Sequence, residues 1–112
     1  MVGSEGPQPL LKDVLGEFAQ ELMSLLREQG ETDLAAQIPQ LRLFGRCRCG
    51  DDFCATVYTA PRPEGAWGPE HESVALDPAN GFLILDVVDG GIVSIEVLYR
   101  DDIRAQVLQL FP

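Results

Sequence analysis

The protein has three cysteines, and all of them fall within one short run, Arg46-Cys47-Arg48-Cys49-Gly50-Asp51-Asp52-Phe53-Cys54. Thiols at this spacing can share a metal ion, form one disulfide or supply one nucleophile. They can equally serve as small apolar packing groups, because cysteine is among the most buried residue types. In an extended strand Cys47 and Cys49 point to the same face about 7 Å apart. A turn through Gly50-Asp51-Asp52 then returns Cys54 beside Cys49. Zinc takes four ligands near tetrahedral geometry, so a metal here needs a fourth, with His71, Asp51 and Asp52 as candidates. The stronger zinc signatures pair two C-x2-C knuckles, whereas this chain carries a single compact cluster. For a disulfide, Cys47 to Cys49 is disfavoured by strand geometry, and Cys49 to Cys54 across the turn is feasible. For a nucleophile, Arg46 and Arg48 would stabilise a thiolate on Cys47 or Cys49, and His71 would act as base if the fold brings it close. Asp51 and Asp52 oppose that field.

The cysteines need a frame, and the periodicity of the chain supplies one. Leu11, Val14, Leu15, Phe18, Leu22, Leu25 and Leu26 recur at helical steps, which predicts one long amphipathic helix over Leu10 to Gln29. Gly30 stops it, and Gly16 within it either admits a close approach to a sheet or costs about 1 kcal/mol. A short second helix follows with Thr32 or Asp33 as its cap and ends before Pro39. Leu41 and Leu43 alternate with Arg42 and Phe44, so a strand begins there and continues into the cysteines. Phe53 to Thr59 forms its partner, with the cysteines at the hairpin tip. Three further strands are expected at His71–Leu76, Gly81–Val88 and Ile92–Tyr99, separated by the turn signals Asp77-Pro78-Ala79-Asn80 and Asp89-Gly90-Gly91. Asp101 or Asp102 then caps a short C-terminal helix with Ile103, Val107, Leu110 and Phe111 facing inward. The order predicts an α+β fold: an antiparallel β-meander of about five strands packed against a long N-terminal helix and a short C-terminal helix. Residues 1–9 read as a flexible arm and 10–112 as a single domain.

Composition narrows the function. The net charge is −10, from 18 acidic against 8 basic residues. Such a chain repels phosphate backbones, so nucleic acid is not an expected partner. No apolar run reaches the ~20 residues that span a membrane, and the N-terminus lacks the features of a secretory signal. An odd number of cysteines without such a signal suggests a reducing cytoplasm with free or metal-bound thiols. The cations are seven Arg and one Lys, a bias suggestive of a GC-rich bacterial genome. There is no Gly-rich phosphate loop, no Ser-His-Asp order and no H-E-x-x-H helix, and no catalytic set is assigned. The irregular loop Ala60–Glu70 carries the only Trp, Trp67. It either anchors a partner or folds back over the sheet edge.

Over Ile38 to Pro112, at RCRCGDDFC, GAWG and GGIVSIEVLYRDDIRAQVLQLFP, the chain resembles a small family of bacterial proteins, mostly from GC-rich soil organisms, that has no established activity. The resemblance singles out Cys47, Cys49, Gly50, Cys54 and Trp67 and implies a cytoplasmic bacterial setting, with no role attached to any of them. The expected function is a non-enzymatic protein-interaction or regulatory module that binds a protein partner through Trp67, Asp51 and Asp52. The alternative is a zinc-binding protein using Cys47, Cys49 and Cys54 with His71 or an Asp. A thiol-dependent enzyme comes third. An exposed edge near Leu41 to Arg46 could form a homodimer.

Overall fold

The computed structural model describes residues 8–112. Three helical segments open the chain: α1 (Leu11–Val14), α2 (Gly16–Glu28) and α3 (Thr32–Gln37), followed by a 3-10 turn at Ile38–Gln40. The strands β1 (Gly45–Arg46), β2 (Val57–Tyr58), β3 (His71–Ala75), β4 (Phe82–Val88) and β5 (Gly91–Leu98) come next, and α4 (Asp101–Leu110) closes the fold. The sheet has the order β1-β2-β5-β4-β3, with every neighbouring pair antiparallel. This is the expected α+β fold with a five-stranded antiparallel sheet, but β2 pairs with β5 and not with β3, so the strands do not follow a simple meander. No described helix is long and apolar enough to cross a membrane.

The expected helix from Leu10 to Gln29 is broken in two. Leu15 leaves helical geometry at φ −135°, ψ 58° while its side chain stays buried. The break puts Gly16 at the start of α2, where a poor helix former is tolerated better than in the interior. Gly16 makes no close approach to the sheet, because a Cβ built there would meet nothing within 4 Å. The caps also differ from expectation. Glu31 precedes α3 and Arg100 precedes α4, neither with a side-chain cap bond. Asp101 and Asp102 lie instead in the first turn of α4, where carboxylates favour the helix dipole.

The segment before β1 finds an unforeseen partner. Leu41 and Leu43 are buried and Arg42 and Phe44 exposed, as alternation requires. Their backbone, however, bonds to the entrance of α1: Leu11 N donates to Leu41 O and Leu43 N to Pro9 O. Arg42 also donates to the Gln8 carbonyl at 2.6 Å. Gln8 and Pro9, assigned to the arm, are therefore bonded to this segment, and residues 1–7 of that arm lie outside the described residues.

The second half of the hairpin is aligned along its whole length. Thr59 N donates to Val93 O, Ala55 N to Val97 O and Tyr99 N to Phe53 O, while Cys54 bridges Leu98. These contacts and the pairs Val57↔Ile95 and Tyr58↔Ser94 all belong to one register. Successive side chains in a strand alternate faces, so Ala55, Val57, Ile95 and Val97 point into the core with Leu83, Leu85 and Val87. The helices supply Phe18, Leu22 and Leu26 from α2 and Ile103 and Val107 from α4. Arg100 joins these two helices through both Glu21 carboxylate oxygens at 2.8 and 2.9 Å, and its Nε donates to Asp102 at 3.1 Å.

The β4–β5 turn is as tight as Asp89-Gly90 suggests. Both residues have positive φ, 51° and 82°, as a type I′ hairpin turn requires. At Gly81 the φ is +72°, and a Cβ would lie 2.5 Å from the Leu98 carbonyl oxygen. Gly81→Ala should therefore destabilise the fold by about 1–3 kcal/mol. Gly16→Ala, exposed and unobstructed, should stabilise it by about 0.4–1 kcal/mol by restricting the unfolded chain. Urea midpoints that move the same way for both substitutions would contradict this assignment.

Candidate functional site

The outer face of the sheet, opposite the helices, collects the polar residues. The register places Cys47, Thr56, Glu96 and Ile84 in one row across four strands, since Cys47 N donates to Thr56 O and Ile84 pairs with Glu96. The adjacent row holds Tyr58, Ser94, Asp86 and Ser73. Cys54 and Leu98 begin a third. Between the first rows and the Trp67 loop lies a cavity of about 300 Å3, lined by Cys47, Cys54, Thr56, Tyr58, Trp67, Asp86, Ser94, Glu96 and Leu98.

At one end are the cysteines. The strand stops at Cys47, the chain turns through Gly50, and Cys54 N donates back to Asp51 O. The cysteines thus sit on the hairpin loop, not in a continuing strand. All three are free thiols, and their sulfurs lie within 4.8 Å of one another. They are close enough to hold a metal ion. Cys54 Sγ also donates to Thr56 Oγ1 at 3.5 Å. The Asp51 amide lowers the Cys49 pKa, but hydrogen bonding with Cys47, lost hydration and the neighbouring Cys54 outweigh it and push it up to about 11. Cys54 goes the other way: burial raises its pKa, yet hydrogen bonds from Thr56, Cys49 and Cys47 leave it below the ordinary value. Cys54 is therefore the first of these two thiols to ionise. Arg46 donates to the main-chain oxygens of Phe111 and Cys47, and Arg48 to that of Pro112.

At the other end is a cluster built on Asp86, which is only 4% exposed. Ser94 Oγ donates to Asp86 Oδ2 at 2.5 Å, and His71 Nε2 meets Asp86 Oδ1 at 2.8 Å. An ionised carboxylate only accepts, so Nε2 is the protonated nitrogen. Ser73 adds a longer contact at 3.5 Å. Burial disfavours the Asp86 charge, but hydrogen bonds from Ser94, Glu96 and His71 prevail and hold its pKa below the ordinary value. Glu96 responds in the opposite sense. Burial, then the Asp86 carboxylate beside it, pushes its pKa up to about 7, against a smaller pull from His71. Two neighbouring carboxyls thus share one proton near neutrality.

The structure brings Cys47, Cys49 and Cys54 together and leaves His71 apart from them. His71 sits on β3, three strand spacings from the segment that carries Cys54, or about 14 Å at ~4.8 Å each. Asp51 and Asp52 are exposed on the loop, outside the 4.8 Å group. Trp67 is half-buried and folds back to wall the cavity beside Tyr58, whose outer contact is the Arg62 guanidinium 5.3 Å from its ring centre. Asp86, Ser94 and Glu96 were not singled out from the sequence. Their signal was there, since each interrupts a strand of apolar residues, FLILDVV or GIVSIEVL. Compared with protein-family models, curated proteins and solved structures, the chain matches none.

The carboxyl pair has a pH signature. In the folded state Glu96 holds its proton up to about pH 7, against an ordinary pKa of 4.5. Its contribution to stability is complete below the unfolded pKa and is lost as pH rises through the folded one. Glu96→Gln keeps a neutral side chain throughout. In metal-free protein, the urea midpoint of this variant should gain on wild type between about pH 4.5 and 7 and level off above that. Parallel curves would show that Glu96 ionises as an ordinary carboxyl.

Proposed function

We propose that the protein binds one thiophilic metal ion, zinc, through Cys47, Cys49 and Cys54. The observation that supports this most directly is the convergence of the three sulfurs within 4.8 Å. Zinc–sulfur bonds of about 2.3 Å set tetrahedral sulfur pairs about 3.8 Å apart, so a contraction of about an ångström completes the three contacts. Cys47 and Cys54 are already held by backbone pairing. The excess negative charge favours cation capture, and a reducing bacterial cytoplasm would keep the thiols available.

Zinc titration followed by native mass spectrometry should show one ion per chain. Thermal unfolding should shift upward, by about 2.7 kcal/mol at free zinc a hundred times the dissociation constant. Cys47→Ser combined with Cys54→Ser should abolish both effects. An apo mass that persists in excess zinc, with three titratable thiols, would sink the metal reading.

A second reading, a protein-interaction module, draws support from a different feature. Phe82 and Tyr99 are 58% and 59% exposed. Tyr99 stacks on Phe53 at 5.0 Å and meets Phe82 edge-on at 5.9 Å. Tyr99 also holds a positive φ of 61°, uncommon for a bulky residue. With Asp51 and Asp52 exposed on the adjoining loop, this end of the sheet offers aromatic area with an acidic rim, suited to a basic protein partner. Replacing both Phe82 and Tyr99 by Ser should eliminate a partner that wild type captures from cell extract. Stability should fall by about 1–3 kcal/mol through the two lost aromatic contacts, so capture is compared at a temperature where both proteins are folded. Equal capture by both proteins would exclude the aromatic surface as the contact.

A further inference from the structure

Three sulfurs leave one position of a tetrahedral ion to be filled, and the structure narrows the choice. His71 is bonded to Asp86 and lies on β3, at the opposite edge of the sheet. The 4.8 Å group contains no carboxylate oxygen, so an acidic fourth ligand, from the loop or from the sheet, has to move to reach it. Glu96 lies on the same face as Cys54 and lines the same cavity as Cys47 and Cys54. It stands directly across from Thr56 in the continuous β2–β5 register. Directly opposed residues have Cβ atoms about 4.5–5.5 Å apart, and the Thr56 hydroxyl already touches the Cys54 sulfur. A glutamate on that row has three side-chain torsions with which to reach the cluster. Its departure from Asp86 leaves nothing orphaned, because Ser94, His71 and Ser73 still donate to that carboxylate.

We propose that Glu96 supplies the fourth ligand, its carboxylate swinging from Asp86 to a metal held by Cys47, Cys49 and Cys54. This inference rests on the metal reading and extends it to the regulation of the site. Binding draws one member out of the polar cluster and fills the cavity beneath Trp67, so metal occupancy and the arrangement of the outer sheet face change together. Protons carried by the thiols and the carboxyl pass to solvent on binding. Four protein ligands close the coordination sphere, which is the mark of a structural or storage site, in contrast to a catalytic one that keeps a position for water.

Cobalt(II) is the probe, because it reports sulfur ligation and geometry separately. Wild type should show thiolate-to-cobalt charge-transfer absorption in the near ultraviolet together with the intense visible bands of four-coordinate cobalt. Glu96→Gln should keep the charge-transfer band, weaken or shift the visible bands and lower affinity by at least about tenfold. Glu96→Asp, one methylene shorter, should behave in the same way, while Asp51→Asn with Asp52→Asn should match wild type. Charge-transfer and visible bands unchanged in both Glu96 variants, with unchanged affinity, would overturn Glu96 as ligand and leave the three-cysteine site intact. Loss of affinity in the Asp51/Asp52 variant alone would likewise overturn it in favour of the loop. Absence of the charge-transfer band in wild type would remove the metal site itself, and the fourth ligand with it.

Discussion

The register of Phe53–Thr59 against Val93–Tyr99 is the constraint on which the site depends. It is fixed by backbone bonds at both ends, Thr59 to Val93 and Tyr99 to Phe53. Because strand side chains alternate with period two, a slip of one residue would exchange the faces. Ala55 and Val57 would then meet solvent, and Cys54, Thr56 and Tyr58 would enter the helix-covered core. The apolar residues therefore enforce the position of the polar ones. β5 is the common partner, with β2 on one side and β4 on the other, so an error there would displace both the cysteine and the carboxylate rows.

The outer face is unusual in what it buries. Asp86 is nearly inaccessible on a face that none of the described helices covers, and each oxygen of its carboxylate has a donor. Removing such donors leaves a buried charge unsatisfied, a penalty well above the net gain of an ordinary hydrogen bond. The cluster ties β3, β4 and β5 together through side chains at the same level where their backbones pair. Glu96 joins this group through Asp86 alone. It is the carboxyl that yields its charge near neutrality, since two neighbouring carboxylates cannot both ionise freely in a partly desolvated site. That makes it the residue with the least to lose from a new partner, in contrast with Asp86.

What was legible in the sequence was local. The Asp89-Gly90 turn, the apolar strands on either side of it and the stripe along α2 each carry their information in neighbouring residues, and the structure follows them. The features that escaped are non-local. Gly16 looked like an interior glycine of one helix, whereas the helix breaks beside it at Leu15 and the α1 entrance pairs with Leu41 and Leu43. Arg46 and Arg48 looked like thiolate partners because they adjoin the cysteines, yet they donate to main-chain oxygens of Phe111 and Pro112 at the other end of the chain, and Arg46 also to that of Cys47. His71 looked like a possible ligand because it is the only histidine, and strand order placed it beside Asp86. The cysteine cluster itself was legible because its members are close in sequence. The carboxylate cluster was not, because its members come from three strands and only the register unites them.

The hairpin loop also shows how the three thiols differ mechanically. Cys47 is held by its amide bond to Thr56, and Cys54 by its bridge to Leu98. Cys49 is exposed between them, two residues beyond the last β1 ladder bond. A ligand shared by all three would find two sulfurs fixed by the sheet and would have to order chiefly the third. Such preorganisation limits the conformational entropy lost on binding. It also leaves Cys49 as the arm through which a bound ion would be exchanged, since that thiol is the most accessible. Affinity would then come mainly from the sheet and exchange from the loop, so the two could change independently by substitutions on one side or the other of Gly50.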